Sequence, residues 1–212
     1  IGIAGCGTMG LPMLEVLLKN NINAFGYDIL SKENFSSLEN NFISSKKDFF
    51  QKVDVIFSVV RDINQTKELC EGKNGLFQLN SPKILIISST LSPAFLNDFF
   101  QNAPENITMI EAPMSGAPMK AKDATLTFMV GAEKNQYENI LPILNILGEK
   151  IHHIGKFGSG MSVKVLKNFV ASCSVVAVRH VLSEAKYLNI SSEQLLEILN
   201  CSSGKKWFSE NL

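Results

Sequence analysis

Three glycines and no charge make up the first turn of the chain, Gly5-Cys6-Gly7-Thr8-Met9-Gly10, within "IGIAGCGTMGLPMLEVLLKN". The chemistry such a turn suits is holding an anion. In a G-x-G-x-x-G turn between a strand and a helix, the first two glycines allow the tight bend and a close backbone approach to a pyrophosphate. The third, Gly10, lets helix and strand pack closely, and the helix N-terminus faces the phosphates. The acidic partner of such a turn belongs at the end of the next strand. Asp28 stands there, closing "NAFGYD". Its carboxylate can accept hydrogen bonds from the adenosine ribose hydroxyls and repel a 2′-phosphate. No arginine follows it, and Lys32 is the nearest cation. The expected cofactor is therefore NAD, with NADP second.

Other chemistries find less support. The four cysteines (Cys6, Cys70, Cys173 and Cys201) form no C-x-x-C pair, which argues against a zinc site or a disulfide framework. Reduced thiols indicate a cytoplasmic protein; with the chain starting inside a strand, an organellar address stays open. His152 and His153 are adjacent on a short strand and point to opposite faces, so they do not chelate together. No metal is expected. His180 reads as packed or solvated. Trp207 reads as a packing residue or as a cover for the cleft. Twenty basic residues balance twenty acidic ones, leaving no net field to attract nucleic acid or an anionic membrane. Lys46-Lys47 and Lys205-Lys206 read as solvated faces. The most apolar long stretch, "FVASCSVVAVRHVL", is interrupted by Arg179 and reads as too short to span a bilayer.

The elements that must position the turn alternate regularly. "IGIA", "NAFGYD", "VIFSVV", "KILIIS", "ITMIE", "TLTFMVG" and "KIHHIG" read as strands. Helical segments are expected over Leu11–Asn20, Gln65–Cys70, "SPAFLNDFFQ" and "YENILPILNIL". In "SPAFLNDFFQ", Ser92 would be the N-cap and Pro93 the first helical residue. Short apolar strands separated by helices predict a parallel sheet covered on both faces, a doubly wound Rossmann-like α/β fold. After Gly155 the pattern changes to all-helical. One long helix is expected from Met161 to about Leu188, then a second begun by a Ser191–Gln194 capping box. The expected domains are thus 1–155, binding NAD, and 156–212, the start of an α-helical domain that reads as incomplete.

Four stretches taken together, "GIAGCGTMGLPM", "SSTLSP", "EAPMSGAPMKAKDATLTFMVG" and "GSGMSVKVLKN", resemble the β-hydroxyacid dehydrogenase family. That family includes 3-hydroxyisobutyrate dehydrogenase and tartronate semialdehyde reductase, and its first domain is like the NAD-binding domain of 6-phosphogluconate dehydrogenase. The resemblance implies a cofactor site at Gly5, Gly7, Thr8, Met9 and Gly10, with Val60 and Arg61 lining the cofactor and Thr90 near the nicotinamide. It implies that Ser115 and Gly116 grip a small carboxylate substrate, that Lys164 is the catalytic lysine and that Asn168 assists it. Positions i and i+4 share a helix face, which is consistent with Lys164 and Asn168 serving one cleft. An amine partly desolvated beside a nicotinamide suits the proton transfer that accompanies alcohol oxidation.

The function so implied is hydride transfer between NAD and a small 3-hydroxy acid, with lysine as general acid/base. Alternatives are a reductase of tartronate or succinic semialdehyde, and a silent dinucleotide-binding module. Ala117 for the second glycine of the "S-G-G" pattern, Lys167 for an asparagine and Arg61 for a proline are departures from the family. The apolar face of the long helix reads as core or dimer interface, so the full-length protein is expected to be a homo-oligomer through its helical domain.

Overall fold

Consecutive residues of the central strands go to opposite sides of the sheet. In β4 (Lys83–Ile87), Leu85 and Ile87 enter one hydrophobic cluster and Ile86 the other; β1 (Gly2–Ala4) divides Ala4 and Ile3 in the same way. In β3 (Val55–Ser58), Ile56 joins the first of these and Phe57 the second. Strands covered on both faces read as unbroken apolar runs, because every side chain meets a helix layer. The computed structural model describes residues 1–38 and 40–201. Lys205, Lys206 and Trp207 lie outside the described residues.

The layer over Ile3, Phe57 and Ile86 comes from α1 (Gly10–Lys19) and α6 (Lys134–Leu147), through Leu14, Leu17, Leu144 and Leu147. The opposite layer comes from α2 (Lys46–Lys52), α3 (Ile63–Cys70) and α4 (Pro93–Gln101), with Phe49, Phe50, Leu69, Leu96 and Phe99. Met161, near the start of α7 (Ser159–Tyr187), joins this second cluster and is fully buried.

The remaining strands are β2 (Phe25–Tyr27), β5 (Ile107–Glu111), β6 (Met114–Ser115), β7 (Leu126–Gly131) and β8 (Gly148–Gly155). The order is β2-β1-β3-β4-β5-β7-β6, with β8 also paired to β7. The first five strands are parallel, as expected. The expectation of a wholly parallel sheet is corrected beyond β5: β7 runs antiparallel to β5 and β6, and β8 parallel to β7. The connection from β6 to β7 holds only the five-residue helix α5 (Pro118–Lys122). A parallel crossover needs a dozen residues or more, so the chain turns straight back. The strand order reverses between β1 and β3, and in such sheets the crevice at the carboxyl ends there is the ligand site.

Several local readings needed tertiary context. α2, α5, β6 and a 3₁₀ segment at Lys32–Leu38 were not expected from pattern. Ser92 stands at the N-cap of α4 but makes no side-chain cap bond. A reciprocal capping box instead starts α6, between Glu133 and Gln136.

The chain divides into two compact units, Ile1–Val165 and Leu166–Leu212. The first unit extends past Gly155 because the start of α7 contributes Met161 and Lys164 to its interior. In the second unit, Leu166, Phe169, Val170 and Val176 on α7 are each more than 60% exposed. α7 ends where Asn189 takes a left-handed conformation (φ 56°) and the Ile190 N–H donates to Ala185 O at 2.9 Å. α8 (Ser192–Cys201) follows, and Gln194 N–H reaches Ser191 Oγ at 3.5 Å, one arm of the expected box. The expectation that no segment could span a bilayer is corrected as to length. α7 has 29 residues and an 18-residue window of mean hydropathy 1.5, enough by length and composition alone. The helix runs on at both ends of the apolar stretch.

Candidate active site

The three glycines of the first turn do three different things. Gly5 has φ +97°, and a Cβ there would lie 2.7 Å from Val59 O, so it serves the bend and the approach to the end of β3. A Cβ on Gly10 would overlap the carbonyl oxygen of Gly5, so Gly10 is what allows α1 to pack on β1. A Cβ on Gly7 would meet nothing within 4 Å. Two glycines serve the fold and one leaves space. No side chain caps α1, and its first turn carries no acidic residue. Its positive end is therefore open to an external anion.

Asp28 is tied to that turn. Cys6 N–H donates to Asp28 Oδ2 at 2.8 Å, and Leu30 N–H donates to Oδ1 at 3.0 Å. The Cys6 thiol is buried, and burial, then the Asp28 charge, push its pKa up to about 12. It is a packing group, not a nucleophile. Tyr27 is also raised, by burial and then by the charges of Asp28 and Glu68.

A cavity of about 970 Å³ runs along the carboxyl ends of the parallel strands, entirely within the first unit. Gly5, Gly7, Thr8, Met9 and Asp28 line it, as do Val60, Arg61, Thr90, Gly116 and Lys164. Gly10 is buried beneath the turn. Ser115 is half-buried in β6, paired with Thr127, and is not among the lining residues, whereas Met114 and Gly116 on either side of it are. Period-two alternation along the strand accounts for the difference. Asn168 belongs to the second unit, one helical turn beyond Lys164 in α7.

Lys164 is 8% exposed, and its Nζ donates to Met114 O at 2.6 Å. Its helix thus delivers a buried amine to the cavity wall, and a main-chain carbonyl holds it there. Lys46 overturns the reading of its pair as a solvated face. Its side chain is 12% exposed, lines the cavity, and donates to Glu68 Oε1 and to Glu68 O, both at 2.8 Å. Nothing local distinguishes it from Lys47; only α3, folded alongside, supplies the partner. Ser88 and Ser89, after β4 in the "SSTLSP" stretch, are two further lining residues, to which the sequence reading gave no role. Ser89 Oγ donates to Val60 O at 2.6 Å, while Ser88 Oγ is buried without a hydrogen bond among the described residues.

Open space at Gly7, the uncapped start of α1 and the orphan Ser88 hydroxyl all fit a phosphate-bearing cofactor with hydroxyl groups. Residues 1–155 match the family model described as the NAD binding domain of 6-phosphogluconate dehydrogenase. The 2-(hydroxymethyl)glutarate dehydrogenase of Eubacterium barkeri is 28% identical, over 99% of this chain and 71% of that protein. The probable mitochondrial 3-hydroxyisobutyrate dehydrogenase of Dictyostelium discoideum is 31% identical, over 99% of this chain and 67% of that one.

The chain belongs to the β-hydroxyacid dehydrogenase family. The solved 3-hydroxyisobutyrate dehydrogenase of Salmonella typhimurium shares its fold, with a TM-score of 0.84 at 23% identity, over 99% of this chain and 75% of that one. This member of the family is an oxidoreductase chain whose first unit is an NAD-binding domain, and the cavity lies where such a domain takes its cofactor.

Proposed function

We propose that the protein transfers a hydride between NAD and a small 3-hydroxy acid, with Lys164 as the general acid/base. The observation that carries this is the buried Lys164 amine, fixed to Met114 O, lining the same cavity as the glycine turn and Asp28. Bound NAD would supply the hydride acceptor. Thr8, Met9 and the open face of Gly7 would receive the pyrophosphate, and Asp28 the adenosine ribose. Val60 and Arg61 would line the cofactor, with Thr90 towards the nicotinamide.

Gly116, which has φ +148°, would hold the substrate carboxylate through its backbone, with Ser115 beside it. In oxidation the neutral Lys164 amine accepts the alcohol proton, and in reduction the ammonium returns it, so proton and hydride leave the substrate together. Asn168, four residues on, would orient the substrate or the lysine. All four cysteines are free thiols, which suits a reducing compartment.

The test is a pre-steady-state hydride-transfer rate with NAD saturating and 3-hydroxyisobutyrate as substrate. Lys164→Ala should lower the rate by about 10²–10⁴-fold. Lys164→Arg should do little better, since guanidinium stays protonated, and Lys167→Ala should have a much smaller effect. Near-normal turnover in Lys164→Ala would remove the lysine from the mechanism.

A further inference from the structure

Glu111, the last residue of β5, is fully buried, although it does not line the cavity. Its Oε2 accepts the Gly158 N–H at 2.7 Å, immediately ahead of α7. Its other oxygen, Oε1, is buried without a partner among the described residues. One glycine makes room for this carboxylate, and another lets the first turn of α7 approach the backbone of β7. A Cβ on Gly131, in β7, would collide with Oε2, and a Cβ on Gly160 would stand 2.5 Å from Met129 O and 2.8 Å from Gly131 N. Three residues beyond Glu111, Met114 O accepts from Lys164 Nζ. The short segment from Glu111 to Met114 therefore holds α7 at two points, its start and its buried amine.

Burying a carboxylate with one oxygen unsatisfied costs stability. What the fold obtains in return is a fixed first turn for the helix that carries Lys164. We propose that Glu111 is a positioning residue: by accepting the backbone N–H at the start of α7, it sets where Lys164 stands in the cavity. This rests on the role given to Lys164 above. The hydrogen-bonding oxygen does the positioning, and the charge is not required.

The experiment compares Glu111→Ala, Glu111→Gln and Gly131→Ala with the parent. Three quantities are measured: hydride transfer from 3-hydroxyisobutyrate with NAD saturating, the NAD dissociation constant by calorimetry, and the acetylation rate of Lys164 by acetic anhydride, read by mass spectrometry. Glu111→Ala should slow hydride transfer by about 10–100-fold, the effect of a small misplacement of a catalytic group, with the substrate KM little changed. NAD affinity should stay at the parent value, and Lys164 should acetylate faster. Glu111→Gln keeps an acceptor oxygen and should restore both rates to near the parent's.

Parent-like rates and labelling in Glu111→Ala would overturn the proposal, as would a Gln variant as impaired as the Ala variant. If Glu111→Ala does not fold, Gly131→Ala decides. Faster Lys164 acetylation with NAD affinity kept supports the role, and unchanged acetylation refutes it. A parent inactive on hydroxy acids would sink the functional reading alone, and the labelling comparison would still decide the role of Glu111.

Discussion

The two glycine-rich helix starts of the first unit are built alike and used in opposite ways. Gly5-Cys6-Gly7 precedes α1 and Gly158-Ser159-Gly160 begins α7, and the leading glycine of each has φ +97°. At α1 the third position, Gly7, faces open space and nothing caps the helix. At α7 the third position, Gly160, is packed against the backbone of β7, and the Glu111 carboxylate accepts the N–H of Gly158. A helix N-terminus favours an anion in either case. One start draws that anion from the chain itself and becomes framework. The other, where Asp28 takes only the Cys6 N–H of the turn, keeps its third position and its helix N-terminus open, as the proposed cofactor site requires. What a methyl group would meet at the third position separates the two, although the residue pattern is the same.

The largest effect expected from this contrast is on stability. Gly160→Ala should destabilise the first unit by about 3 kcal/mol, the upper part of the range for overpacking, as should Gly10→Ala. Chemical denaturation would measure both. A Gly160→Ala midpoint equal to the parent's would mean that the second start is as open as the first. Next comes Asp28→Ala, which should weaken NAD binding by about 2 kcal/mol, as for a hydrogen bond to a charged group. It should also narrow the preference over NADP. Titration calorimetry with both cofactors checks this, and a parent that binds the two equally contradicts the reading of Asp28.

Gly7→Ala should be smaller still and fall on the ligand alone. NAD affinity should drop by about 1 kcal/mol, as for mild overpacking, while the denaturation midpoint stays put. A loss of stability with unchanged affinity would reverse the roles assigned to the two turns.

The smallest effect is a pH dependence. Burial raises the Glu111 carboxyl above its usual range, opposed by the N–H groups of Gly158, Met161 and Gly160. The folded state therefore binds this proton more tightly than the unfolded chain. The contribution of Glu111 to stability then falls as pH rises from the ordinary carboxylate pKa through the raised one. Glu111→Gln should gain on the parent as pH rises through that window, and the difference should shrink on acidification. Ionisable groups that the two proteins share cancel in the comparison. Asp54, lowered by its hydrogen bond to Lys83 and then by the lysine charge, works with the opposite sign and cancels likewise. A variant–parent difference that does not change with pH would show the Glu111 charge to be solvated in the native state.

Much of the first unit could be read directly from residue order. The strand–turn–helix at Gly2–Lys19, Asp28 after β2 and the alternating faces of β3 and β4 all follow from short-range periodicity and from which backbone shapes glycine permits. These features depend on neighbours a few residues away, so a linear pattern carries them. The reversal of β7, the inward turn of Lys46, the alternation that keeps Ser115 off the cavity wall and the grip of Glu111 did not follow from order alone. Glu111 and Gly158 are 47 positions apart, and Lys46 and Glu68 are 22 apart. Nothing in either local sequence names the partner, because burial and pairing are decided by which elements pack together. The sequence by itself determined that the chain carries an NAD-binding domain and where its first glycine turn lies. The tertiary structure alone decided which of two similar helix starts stays open, because only packing sets Gly160 against the backbone of β7 while Gly7 faces open space.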